Sequence, residues 1–110
     1  MRFAVAAMLL AAPTAAQTPE RVRCVVDHGP ARDCRVTFST AAGVRTLRFD
    51  LANGRRVTFV GRAQTGWWSG RLDGKPAMGF ERNRGYVVFS TTDLGRTFEW
   101  FYPGSQHGGY

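Results

Sequence analysis

Residues 47–59 read Leu47-Arg48-Phe49-Asp50-Leu51-Ala52-Asn53-Gly54-Arg55-Arg56-Val57-Thr58-Phe59. Apolar side chains recur at every second residue on both sides of an Asn-Gly pair. Successive side chains of a strand point to opposite faces, so Leu47, Phe49 and Leu51 share one face, as do Val57 and Phe59. A two-residue Asn-Gly loop would set Phe49 opposite Thr58 and divide the two apolar sets between faces. A three-residue loop, Ala52-Asn53-Gly54, sets Phe49 opposite Val57 and Leu47 opposite Phe59. Burial selects the second register, because a one-residue slip turns every side chain over. The hairpin then needs a type I turn with Gly54 in the left-handed position, the G1 bulge arrangement.

The same alternation runs outward from this hairpin. Short apolar-alternating runs are divided by Gly, Asn and Asp about every ten residues, a pattern of period two rather than 3.6. It predicts strands near 21–26, 34–40, 44–51, 55–61, 66–72, 76–82, 86–91 and 96–102. No segment reads as a helix, since Gly and β-branched residues recur too often. The fold class is all-β: a small antiparallel meander of seven or eight short strands forming a compact barrel or sandwich. Asn83-Arg84-Gly85 reads as a second three-residue loop, with Arg82 opposite Tyr86, Phe80 opposite Val88 and Gly85 left-handed. Asp73-Gly74 suits a tight turn between Leu72 and Lys75. That register puts Trp68 opposite Gly79, where the ring would cover bare strand backbone. In the last strand Phe98, Trp100 and Tyr102 share a face and are core candidates.

The N-terminus carries a different signal. Arg2 precedes an apolar run from Phe3 to Ala12, Pro13 breaks it, and Thr14-Ala15-Ala16 supplies small side chains. This reads as a signal peptide over residues 1–16, cleaved between Ala16 and Gln17. Residues 17–110 then form a single all-β domain, with a flexible Gly-rich tail from about 103. The apolar run is shorter than the roughly 20 residues a membrane helix needs, and no later stretch is apolar enough. The chain's 2 cysteines, Cys24 and Cys34, form an even pair suited to a disulfide in an oxidising compartment. They would staple the first hairpin around Asp27-His28-Gly29-Pro30. The expected location is periplasmic or secreted.

The formal net charge is +7, from 15 basic residues of which all but Lys75 are Arg. That balance favours anionic partners, namely an envelope protein or an anionic glycan or lipid surface. The basic residues are scattered and form no tract, so nucleic acid is not expected. Catalytic signals are sparse. His28 falls in a turn and His107 in the tail, no Gly-x-Ser-x-Gly elbow occurs, and no ligand spacing points to a metal or cofactor. Glu81 and Glu99 have aromatic neighbours that could raise a carboxyl pKa. They are the only basis for a small cell-envelope enzyme acting on glycan. The bland expectation is that Glu81 pairs with Arg82, Arg84 or another arginine.

The aromatic residues are closer to a functional signal. Trp67 and Trp68 are adjacent, so in a strand they face opposite ways, and Trp100-Phe101-Tyr102 repeats the situation. Trp, Tyr and Arg dominate interface hot spots. The leading expectation is an exported, non-enzymatic binding or interaction module using Trp67, Trp68, Arg71, Arg82, Arg84 and Trp100. A purely structural role through exposed strand edges is a third possibility.

Overall fold

The computed structural model describes residues 18–104. The signal segment at 1–16 and the tail beyond Gly104 lie outside the described residues. Eight strands follow in order: β1 (Glu20–Val26), β2 (Arg32–Ala41), β3 (Val44–Leu51), β4 (Arg56–Ala63), β5 (Trp67–Leu72), β6 (Lys75–Asn83), β7 (Tyr86–Thr91) and β8 (Thr97–Phe101). Each is antiparallel to its neighbour in the chain, and β1 pairs with β8 to close a barrel. Closure decides between barrel and sandwich, while beyond the β1 ladder, among the described residues, residues 37–41 of β2 pair with β3 alone.

The decisive hairpin has the register that burial demands. Leu47 lies opposite Phe59 and Phe49 opposite Val57. The Gly54 N–H donates to the Leu51 carbonyl at 2.9 Å, and Gly54 adopts φ +89°. The next two turns divide. Leu72 pairs with Lys75 across Asp73-Gly74 as expected. At the β6–β7 turn, Phe80 does face Val88 and Gly85 is left-handed, but Arg82 does not pair with Tyr86. Asn83 pairs with Tyr86 instead, across a two-residue turn, and the register shifts between Glu81 and Asn83. The extra residue sits in the strand rather than in the turn. It lets Arg82 lean across Tyr86, with its guanidinium 5.0 Å from the ring centroid.

The interior is an aromatic stack. Phe59 and Phe89 lie parallel with centroids 4.1 Å apart, and Phe49 and Phe98 are tilted at 4.7 Å. All four are fully buried, alongside Val22, Val36 and Leu47. Each such side chain contributes about 1.5–3 kcal/mol through burial, so this layer carries much of the fold's stability. Trp68 does lie opposite Gly79. The ring that occupies the missing side-chain space is nevertheless that of Phe89, whose Cδ1 would stand 2.4 Å from a Cβ at position 79. Trp68 meets Phe89 edge-on at 6.2 Å.

Phe98 and Trp100 enter the core, and Tyr102 is half-buried against it. Phe101 faces outward and is also buried, in a second small cluster with Val25 and Tyr86. Cys24 and Cys34 form a disulfide between β1 and β2, Cα–Cα 6.0 Å, a bond that fits an oxidising compartment. In the ladder Val22 faces Cys34 and Cys24 faces Arg32, so the bridge runs diagonally on the inner face.

Candidate functional site

The barrel is filled at its middle and open at one end. That end carries the β2–β3 turn, the β4–β5 loop and the β6–β7 turn. Its mouth is a depression of about 550 Å³. Leu47, Val87 and Trp100 form the deep part, with Phe38, Trp68 and Tyr102 around them. Arg45, Glu81 and Arg84 bring the charges.

Strand alternation explains each placement. Arg45 occupies the same inward-facing series as Leu47, Phe49 and Leu51. At the open end that series meets water, and a long side chain can lie along apolar surface while its charged head stays wet. The guanidinium sits 5.1 Å from the Trp68 ring centroid and 6.0 Å from that of Phe38. Such cation–π contacts hold the cation over the aromatic surface. Trp100 connects the walls, 5.9 Å from Phe38 and 5.6 Å from Tyr102, ring centroid to centroid. The Tyr102 hydroxyl donates to Glu20 Oε1 at 2.7 Å. Burial, and then the bond to this carboxylate, push its pKa up to about 12.

The six residues expected to act together do not form one surface. Trp68, Arg84 and Trp100 line the mouth, whereas Trp67, Arg71 and Arg82 belong to the outer wall. Phe38, Arg45 and Tyr102 complete the mouth and were not among the expected contacts. For Arg45 a signal was present, since one cation interrupts an otherwise apolar face of β3. Phe38 and Tyr102 read as ordinary core aromatics and carried no such mark.

The two carboxylates with aromatic neighbours also separate. Glu81 lines the mouth, while Glu99 lines a second depression outside the barrel with Arg23, His28 and Tyr86. There the Tyr86 hydroxyl donates to Glu99 Oε1 at 2.5 Å. The Arg82 Nη1 stands 3.8 Å from that oxygen, and His28 Nδ1 lies 3.9 Å from Oε2. Arg82 thus pairs with Glu99 rather than with its sequence neighbour Glu81, because the bulge carries it over Tyr86. Burial and the Glu99 bond together raise the Tyr86 pKa. Among the described residues no three His, Cys, Asp or Glu side chains gather as metal ligands. No helix among them is long and apolar enough to cross a membrane. Comparison of the chain with known protein families, with curated proteins and with solved structures finds no match in any of the three.

Proposed function

We propose that the chain is an exported, non-enzymatic binding module that holds the end of an anionic glycan at the barrel mouth. The observation that carries this reading is Arg45, poised over the Trp68 and Phe38 rings in a concave site shared with Glu81 and Arg84. Aromatic faces stack on the C–H faces of sugar rings. Guanidinium groups donate to hydroxyls and carboxylates, and Glu81 can accept from a hydroxyl. The buried phenylalanine layer lies beneath as the floor of the mouth. The disulfide and the basic charge support an extracytoplasmic setting with anionic partners.

Titration of the protein with uronic-acid oligosaccharides and neutral oligosaccharides of equal length, followed by tryptophan fluorescence and calorimetry, tests the reading. Acidic oligomers should bind, neutral ones should bind at least about tenfold more weakly, and Arg45→Ala and Trp68→Ala should each abolish saturation. Equal affinity of wild type and both variants would remove the mouth as the site. The reading as a glycan-cleaving enzyme through Glu81 or Glu99 has less support. Paired-carboxylate hydrolysis needs both groups flanking one bond, about 5–9.5 Å apart, and these two line different depressions.

A further inference from the structure

Among the described residues five large hydrophobic side chains are left exposed, and four of them share one wall. Val60, Trp67, Met78 and Phe80 are 40%, 41%, 49% and 48% exposed, and only Leu94 lies elsewhere, in the β7–β8 loop. The ladder register shows why they gather. Trp67 faces Phe80, which faces Val88; one row along, Arg62 faces Ser69, which faces Met78; in the next, Val60 faces Arg71, which faces Pro76. Three neighbouring rows of outward positions on β4, β5 and β6 thus hold a Trp, a Phe, a Met and a Val between arginines.

On β4, β5 and β6 these rows contain no Asp or Glu, and Glu99 lies two strands beyond Phe80, across Val88. Glu81 alternates into the mouth, and the Asp73 carboxylate accepts the Thr58 N–H at 2.8 Å in the turn beyond. Among the described residues neither Arg62 nor Arg71 has a carboxylate within 4 Å. Arg71 donates to the Gly74 carbonyl at 3.0 Å, which leaves its charge uncompensated. The wall combines uncompensated positive charge with an apolar centre, and as the outside of a closed barrel it is convex. A convex patch has no groove to hold an extended chain, but a deformable planar surface can receive it.

We propose that the β4–β6 wall docks onto an anionic phospholipid bilayer. Trp67, Phe80 and Met78 enter the interfacial layer, where amphipathic aromatic rings are favoured, and Arg62 and Arg71 contact headgroup phosphates. Trp67 and Arg71, stranded when the expected contact surface divides, find a common role here. The proposal stands independently of the glycan reading, since it uses none of the mouth residues.

Sedimentation of the purified protein lacking residues 1–16 with vesicles tests it. The probes are vesicles of phosphatidylcholine with one quarter phosphatidylglycerol and vesicles of phosphatidylcholine alone. Binding should be at least tenfold stronger to the anionic vesicles and should weaken with salt. Trp67→Ser/Phe80→Ser and Arg62→Gln/Arg71→Gln should each reduce it at least tenfold, with circular dichroism confirming that these exposed changes leave the fold intact. A blue shift of tryptophan emission on binding should be lost in Trp67→Phe while binding persists. Failure to sediment with anionic vesicles, or binding by either double variant as strong as that of the wild type, would overturn the proposal. So would a dimer in light scattering that dissolves in Trp67→Ser/Phe80→Ser without any vesicle binding, which would assign the face to a second copy.

Discussion

Gly61 and Gly70 face each other across β4 and β5, and replacing either with alanine should damage the barrel more than any surface change. A Cβ at position 70 would stand 2.1 Å from the Val60 carbonyl oxygen and 2.6 Å from the Gly61 Cα. A Cβ at position 61 would stand 2.2 Å from the Ser69 carbonyl oxygen. All three obstacles are backbone, so no side chain can swing aside. Reaching ordinary contact requires the two strands to separate by about 1 Å, which strains the hydrogen bonds of the β4–β5 ladder and opens the layer around Phe59. Overpacking of this kind costs about 1–3 kcal/mol, and the absence of any movable neighbour places Gly70→Ala at the upper end, about 3 kcal/mol. For a domain of this size that corresponds to a fall of roughly 15 °C in Tm. Urea and thermal denaturation of both variants, followed by circular dichroism and tryptophan emission, measure it. Gly54→Ala is the contrast, because that position has open space but φ +89°, so its cost is backbone conformation alone, about 1–2 kcal/mol. If Gly70→Ala lost less than about 1 kcal/mol, the close approach of β4 and β5 would not be a feature of the folded state.

Reducing the Cys24–Cys34 bridge, or replacing both cysteines with serine, should lower the urea-unfolding free energy by about 3 kcal/mol on the chain-entropy model. Phe59→Ala should cost about 3–5 kcal/mol in the same assay, since it removes one ring of the buried Phe59–Phe89 stack. The Tyr102 pKa is raised to about 12, so the folded state keeps a proton that the unfolded chain releases near 10. Its contribution to stability is complete below pH 10 and is lost as pH rises from there towards 12. Alkaline absorbance titration should show late phenolate ionisation, of which Tyr102→Phe removes the component at about 12 and Glu20→Gln moves that component to lower pH, while Tyr86 keeps its own raised value. Asp93 has the opposite sign, its carboxyl held below the usual range by the Thr91 hydroxyl and the Gly95 N–H. Its contribution is present above the ordinary carboxylate range and is lost as pH falls through the lowered value. The Tm deficit of Asp93→Ala should therefore be larger at pH 7 than at pH 2.

Local alternation and turn chemistry were enough to read the eight strands and the register of the β3–β4 hairpin, because each depends on residues a few positions apart. The pairing of two cysteines could be read for the same reason, with no third to compete. Closure of the barrel was not legible, since the β1–β8 ladder joins segments from opposite ends of the domain and neither carries a local mark of its partner. The Arg82 bulge escaped because two loops of different length satisfy the same inside–outside pattern there. Only the extra contact between Arg82 and Tyr86 separates them. The candidate site divided for a similar reason. Adjacency in sequence put Trp67 beside Trp68, and the pleat sent one to the convex wall and the other to the mouth. Arg45, Phe38 and Tyr102 meet there because curvature brings β2, β3 and β8 together around one opening, a geometry that exists only once the sheet has closed on itself.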